Sequence, residues 1–371
     1  MTVSVMKKIL FIIHDLNHGG AEKVLVNLVN NMDREKFDIT VLALFGGGVN
    51  EQFLKPHIRL QIIYPKAFPG NSHLMKLLSP GTLHRLFIRE HYDIEVSYLE
   101  GPAARIVSGC PDPDTKLVSW IHSTMHSARQ VARGFRSVRE AECCYGGMDS
   151  VVAVADTVRE AFLKNCGRSS ETHVLYNTNE SERIQYLSAE AADLEEGFCW
   201  CGVGKLVCSK GFDRMIRIQK RLRSDGIPDH FYALGEGPLR AELESQAREL
   251  GVANSVHFLG YQINPYKYVA KCDLFVCASF AEGFSTAATE ALIVGTPVCT
   301  VEVSGMREML GAHNEWGIVT ENDEDALYRA IKTLAENPAQ LEEYREKAAL
   351  RGRAFSTEAT VKAVETMLLN L

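Results

Sequence analysis

The feature that most constrains this chain is a double alternation of short apolar runs with helix-length segments. KILFIIHD at 8–15, DITVLALF at 38–45, IRLQIIY at 58–64, DIEVSYLE at 93–100, TKLVSWIH at 115–122, SVVAVA at 150–155 and THVLY at 172–176 read as strands. Continuous Val/Ile/Leu runs mark strands buried on both faces, and helices between them require parallel pairing with right-handed crossovers. The first such helix is expected over 21–31, with Ala21, Val24, Leu25 and Leu28 on one side. The pattern pauses at 177–198, a polar and acidic stretch read as a junction plus surface segment. It then restarts with strands at 198–204, 230–235, 256–260, 273–279, 297–301 and 317–320. Helices are expected near 211–224, 238–249, 284–294 and 323–335, and the tail from about 339 to 371 reads as mostly helical.

A chain of 371 residues exceeds the roughly 250–300 residues at which a single core stops growing. The expectation is an α/β protein of two Rossmann-like parallel-sheet domains facing across a cleft, with boundaries at 1–176 and 177–355. Open parallel sheets bind ligands beyond the carboxyl ends of their strands. Chemistry is therefore sought in the loops that follow strands.

Composition removes several classes. No apolar run reaches the roughly 18–20 residues of a membrane span. The opening MTVSVMKKILFII imitates a short signal peptide, but His14-Asp15 interrupts it, and a first strand is the better reading. The net charge of -7 divides unevenly: residues 1–176 carry 20 basic and 18 acidic side chains, and 177–371 carry 20 and 29. That balance does not suit a general nucleic-acid binder. The ten cysteines show no metal-ligand spacing; Cys199 and Cys201 are one residue apart, and Cys143-Cys144 are adjacent. They read as reduced core residues of a cytoplasmic protein, with Cys199, Cys201, Cys208, Cys272, Cys277 and Cys299 in strand-like runs.

Four loops hold candidate chemistry. His14-Asp15-Leu16-Asn17-His18-Gly19-Gly20-Ala21-Glu22 joins the first strand to the first helix, and Gly19 and Gly20 permit close ligand approach to backbone N–H groups. Trp120-Ile121-His122-Ser123 ends a strand, and His122 is a candidate acid–base group titrating near neutral pH, or a hydrogen-bonded structural histidine. Lys205 and Lys210 flank a strand–helix turn where either could neutralise phosphate. Neither turn fits a dinucleotide fingerprint or a P-loop. The strongest loop runs from Ala281 to Ala291. Glu282 sits in it, and Glu290 follows two helical turns later, so both carboxylates are expected to address one cleft. Paired carboxylate oxygens accept sugar hydroxyls, Gly283 allows the turn, and the N–H groups of Phe284, Ser285 and Thr286 open the helix toward phosphate or sugar. Gly305-Met306-Arg307-Glu308 adds a loop on the same rim.

With these residues the chain resembles the retaining glycosyltransferases of family four, "glycosyl transferases group 1", with the GT-B fold. The glutamate–seven residues–glutamate motif, Glu282 to Glu290, is the most specific match. The Gly19-Gly20-Ala21-Glu22 turn, Lys205 with Lys210, Gly235-Glu236-Gly237-Pro238 and Gly295-Thr296-Pro297 support it. The resemblance implies that Glu290 holds the donor ribose and that Glu282 faces the transferred sugar. It implies a diphosphate clamp of Lys210 and Lys205, the latter standing where the family usually has arginine. Lysine keeps the charge and loses the planar fork. His122 then lies near the sugar and acceptor, Gly20 approaches phosphate or acceptor, and Glu236 with the loop from Tyr261 to Pro265 forms the base-side wall. A final helix, about 356–371, crosses back to the first domain.

The resemblance also implies a nucleotide-sugar donor, UDP by family frequency, with no metal and no other cofactor. Asp-x-Asp spacing occurs at Asp112–Asp114 and Asp323–Asp325, neither of them in the four candidate loops. The acceptor is expected to be a saccharide or lipid-linked sugar of cell-surface polysaccharide, O-antigen, capsule or glycolipid synthesis. Arg129, Arg133, Arg136 and Arg139 would form a basic ridge if helical, suited to peripheral contact with anionic lipid at the inner face of a bacterial membrane. The alternatives are another GT-B enzyme, such as a phosphorylase or epimerase, and a catalytically inactive sugar-nucleotide-binding protein.

Overall fold

A computed structural model describes residues 6–17, 19–167 and 170–371. His18 of the first candidate loop and the first five residues of the opening segment lie outside the described residues. The chain divides into two compact units, Met1–Asn179 with Glu358–Leu371, and Glu180–Thr357.

The first unit holds seven strands: β1 (Lys7–Ile13), β2 (Phe37–Phe45), β3 (Arg59–Tyr64), β4 (Ile94–Ser97), β5 (Lys116–Ile121), β6 (Ser150–Ala153) and β7 (Glu171–Val174). Their order is β3-β2-β1-β4-β5-β6-β7, and every pairing is parallel. Ile9 to Ile13 are fully buried, as the continuous apolar run requires for a central strand. The helix Gly20–Asn31 follows β1 and buries Val24, Leu25, Leu28 and Val29. The helix Thr357–Leu369 joins this unit, where Glu365 accepts a hydrogen bond from the Asp33 backbone N–H at 2.6 Å and pairs with Lys36 at 3.4 Å.

The second unit has β8 (Phe198–Val203), β9 (Asp229–Leu234), β10 (Val256–Gly260), β11 (Leu274–Cys277), β12 (Val298–Val301) and β13 (Ile318–Thr320), in the order β10-β9-β8-β11-β12-β13. These pairings are also parallel. Trp200 stacks on Phe231 with ring centroids 4.3 Å apart, and Trp200 Nε1 donates to Gln219 at 3.0 Å, which satisfies the one polar atom of the largest core side chain. The fold is thus two parallel-sheet α/β domains, each with strand order reversing at one point, between β1 and β4 and between β8 and β11.

Three local expectations are corrected. Residues 177–198 are not only a surface junction: they contain the helix Ser181–Ser188, and Asn177, Thr178, Asn179 and Ser181 are buried. Ser181 and Thr357 exchange reciprocal bonds, Ser181 N–H to Thr357 Oγ1 at 2.8 Å and Thr357 N–H to Ser181 Oγ at 3.0 Å, so polar residues there satisfy each other rather than solvent. The arginine stretch is not one helix. The helix Ala128–Val131 ends, Gly134 packs where a Cβ would strike the Gly101 backbone, and Ser137 caps a new helix, Val138–Gly146, through Glu140 N–H at 3.1 Å. Arg129, Arg133, Arg136 and Arg139 are each exposed but do not form a continuous ridge. Finally, Cys208 and Cys143 are exposed, Cys208 because its segment forms a short 3-10 turn rather than strand.

Candidate active site

In the second unit the turn after β8 and the turn after β11 flank the point where the strand order reverses. That is where parallel sheets leave a crevice for ligands. Lys205 is exposed in the first turn, and Lys210 stands five residues on, at the end of a 3-10 turn. Gly211 follows with φ of 67° and opens the helix Phe212–Ser224. Lys210 Nζ lies 2.6 Å from Glu282 Oε1. The same oxygen accepts from Ser279 Oγ at 2.6 Å. Glu282 is thereby fixed in the loop, one side chain contributed by the β8 turn and one by the end of β11.

The following helix, Thr286–Ile293, starts at Ser285, whose Oγ accepts the Ala288 N–H at 3.4 Å. Its first turn presents backbone N–H groups that have no acceptor within the helix. Glu290 lies within it, 8% exposed, and Tyr266 Oη donates to its Oε1 at 3.3 Å. Phe284 is buried against Phe355, and Gly305 packs closely on the Phe284 ring, which brings the Gly305 turn beside Gly283.

A second pair of turns supports these. Gly235 has φ of 144°, and a Cβ there would fall on the Gly204 carbonyl, so the β8 and β9 turns touch backbone to backbone. Glu236 pairs with Arg240 four residues along the chain. Gly260 lies against that pair, and Tyr261 follows it, 67% exposed. Glu236 and Tyr261 therefore share one edge, after β9 and β10.

The first unit positions the remaining candidates. Gly19 and Gly20 lie after β1, at that sheet's reversal, and a Cβ on Gly20 would meet nothing within 4 Å. Glu22 lies beside Gly19, and burial raises its carboxyl above the usual range, opposed by a backbone hydrogen bond. His14 Nδ1 is 2.8 Å from Asp15. His122 follows β5; its backbone N–H donates to Glu100 at 3.0 Å, and its ring packs on Tyr98 with centroids 4.9 Å apart. Burial pushes its imidazole down to about 3, against a hydrogen bond to the Tyr98 backbone. Such a shift disfavours the acid–base alternative for His122 and favours the hydrogen-bonded structural histidine. Its Nε2 is buried with no hydrogen-bond partner among the described residues.

The sequence reading missed three supports. Ser279 carried a signal, a hydroxyl at a strand end three residues before a loop carboxylate. Tyr266 lies just beyond the Tyr261–Pro265 loop. Arg214 carried none, being one basic residue among several in its helix. It is 2% exposed and donates to the carbonyls of Ala278 and Ser279, to Asn322 at 2.8 Å, and lies 4.2 Å over the Phe280 ring. It clamps the strand end from which the Glu282 loop departs.

Comparison with known proteins finds family matches in both halves of the chain. The family model "Glycosyltransferase Family 4" matches residues 18–183, and "Glycosyl transferases group 1" matches 190–351. The chain belongs to the family-4-type glycosyltransferases. A Campylobacter jejuni protein named N-acetylgalactosamine-N,N'-diacetylbacillosaminyl-diphospho-undecaprenol 4-alpha-N-acetylgalactosaminyltransferase is 29% identical over 362 residues, covering 94% of this glycosyltransferase and 96% of that protein. The lipopolysaccharide core biosynthesis glycosyltransferase LpsD of Rhizobium meliloti is 25% identical over 368 residues, 97% and 96% of the two chains. In fold, the glycosyltransferase is similar to Anabaena HepE crystallised with UDP-glucose, with a TM-score of 0.76 at 21% identity, covering 98% and 100%. Its two parallel-sheet domains are those of the GT-B architecture. No described helix is long and apolar enough to cross a membrane.

Proposed function

We propose that this glycosyltransferase moves a hexose or N-acetylhexosamine from a UDP-sugar to a saccharide or lipid-linked acceptor, with retention at the anomeric carbon. The observation that supports the reading is the Lys210–Glu282 pair, which joins the two turns at the strand-order reversal of the second unit, with the helix that starts at Ser285 and carries Glu290 following directly. Lys205 and Lys210 hold the diphosphate together with the helix N–H groups, and Glu290 accepts the ribose hydroxyls. Glu282 orients the transferred sugar; Glu236 and Tyr261 border the base, and Gly283, Phe284 and Thr286 shape the wall between. In the first unit, Gly19 and Gly20 leave open backbone for phosphate or acceptor. The unpartnered Nε2 of His122 supports a neutral hydrogen bond to the sugar rather than proton transfer.

In the step itself, the bond from the anomeric carbon to the β-phosphate oxygen breaks as the acceptor hydroxyl attacks on the same face. Its proton passes to the departing diphosphate oxygen. Charge develops on that diphosphate, where two lysines and fixed backbone dipoles stabilise it, so the protein supplies electrostatics and requires no metal ion for this step. UDP as the nucleotide rests on the fold shared with HepE in complex with UDP-glucose.

A lipid-linked acceptor is favoured by the chain's own surface. Leu74, Leu77 and Leu86 are 57%, 73% and 49% exposed. They fall in residues 66–89, which carry Lys66, Lys76, Arg85 and Arg89 and no Asp or Glu. Arg136 donates to the backbone carbonyls of Lys76 and Leu77, the latter at 2.7 Å, and so lies against that segment. Exposed leucines fenced by cations suit an anionic membrane face. The proposed peripheral contact is therefore mainly with 66–89, with Arg136 beside it, and the reading has the protein act in the cytoplasm at the inner face of the membrane, in capsule, O-antigen or glycolipid assembly. The test is a panel of nucleotide sugars scored for nucleotide release with and without diphosphate-linked polyprenol acceptors. Acceptor-stimulated release from one UDP-sugar supports the reading; no sugar-dependent release from any pairing defeats it.

A further inference from the structure

Glu95 is the second residue of β4, a strand paired on both sides by β1 and β5, and it is 2% exposed. It lies near the amino end of that strand, opposite the end that bears the loops described above. A carboxylate in the middle of a sheet needs compensation. No lysine or arginine pairs with it among the described residues. Its partners are His84 Nε2, at 3.0 and 2.9 Å from its two oxygens, and Cys110 Sγ, at 3.8 Å from Oε1. His84 comes from the helix Pro80–Phe87 and is 6% exposed; Cys110 is half-buried in the turn after the helix Pro102–Val107. The three ligand atoms all lie within 4.8 Å of one another.

We infer that His84, Glu95 and Cys110 form a structural zinc site, its fourth position left to water or to the Asp112 carbonyl, which already lies 3.9 Å from Cys110 Sγ. The donor set decides the metal. One imidazole nitrogen, one carboxylate oxygen and one sulfur suit a borderline-soft tetrahedral ion, and a thiolate disfavours magnesium and calcium. Two of the three ligand-atom spacings lie close to those of a tetrahedral site, and the third, His84 Nε2 to Cys110 Sγ, lies within 4.8 Å. Bonds of about 2.0–2.3 Å in a tetrahedron separate ligand atoms by roughly 3.4–3.6 Å. The nitrogen–oxygen pair would open by about half an ångström and the sulfur–oxygen pair close by a few tenths. Charge closes too: a dication, a carboxylate, a thiolate and a neutral imidazole sum to zero within the core. On binding, the thiol proton leaves to solvent as the sulfur–metal bond forms. The ion would pin a helix, a central strand and a turn of the first unit together and take no part in sugar transfer.

The experiment strips the full-length protein with a chelator and titrates it with Co²⁺ alone. One equivalent is expected to produce a thiolate-to-cobalt charge-transfer band and ligand-field bands of tetrahedral intensity, with Zn²⁺ displacing the cobalt and raising the unfolding temperature. Cys110→Ser should abolish the charge-transfer band and weaken binding at least about tenfold, while Cys143→Ser, an exposed thiol elsewhere, keeps both. In wild-type protein, Zn²⁺ should also slow alkylation of Cys110, read by peptide mass spectrometry, which does not depend on the variant folding. Absence of stoichiometric cobalt binding, a band that survives Cys110→Ser, or alkylation unaffected by Zn²⁺ overturns the proposal.

Discussion

Lys210 Nζ and Glu282 Oε1 are 2.6 Å apart, one on the turn after β8 and the other on the loop after β11. The pair spans the reversal in strand order. A cation proposed for the donor diphosphate is thus already held by a carboxylate proposed for the sugar. With the proposed roles, donor binding exchanges that carboxylate for phosphate oxygens, and the freed carboxylate then faces the sugar.

From this exchange, Glu282→Gln should retain or tighten UDP affinity while lowering kcat by about a hundredfold or more. Lys210→Gln should weaken UDP by about tenfold to a hundredfold, as expected for loss of a charged hydrogen bond. Calorimetric titration with UDP reads both. Weaker UDP binding in Glu282→Gln would contradict the competition.

Glu290 is buried and shares a hydrogen bond with Tyr266. Glu290→Ala should cost about tenfold to a hundredfold in UDP affinity, and Tyr266→Phe a smaller factor. If uridine diphosphate binds Glu290→Ala as it binds the parent, Glu290 does not hold the ribose.

His122 is neutral in the folded protein, its imidazole held near 3 against an ordinary 6.5. The unfolded chain therefore binds a proton that the folded chain refuses between those values. This group's contribution to stability is full above 6.5 and is lost as pH falls toward 3. His122→Gln should flatten that part of the stability profile, measured by urea unfolding at successive pH values. Its kcat should fall about tenfold, the cost of one hydrogen bond to a charged or reacting group, with the acidic limb of the pH–rate profile unmoved. A limb that shifts would return His122 to acid–base duty.

The leucines at 74 and 77 should carry membrane affinity. Replacing both by Asp should reduce sedimentation with phosphatidylglycerol vesicles at least about tenfold, since each removes apolar area and adds repulsion. Nucleotide release from donor alone should stay at the parent rate. Equal sedimentation of parent and variant would remove this surface from the membrane contact.

Much of the fold was legible because buried parallel strands write themselves as unbroken apolar runs; each of β1 to β13 falls on such a run, with no end displaced by more than three residues. The Glu282–Glu290 spacing was legible for a similar reason, since a loop and a helix fix what lies eight residues apart. What escaped was tertiary. Arg214 gives no local sign that it will be enclosed, and the arginines from 129 to 139 keep helical spacing although Gly134 and Ser137 break their helix. His122 was placed correctly at a strand end, but its proton affinity depends on Tyr98, two dozen residues away. The paired state of Lys210 was likewise invisible from spacing alone.

The helix Thr357–Leu369 belongs to the first unit although the whole of the second precedes it in sequence. A ribosome therefore completes every strand of the second unit before the partner of Asp33 and Lys36 exists. All seven strands of the amino-terminal sheet are synthesised by residue 174, yet the unit that holds them gains its last helix only with the final residues of the chain.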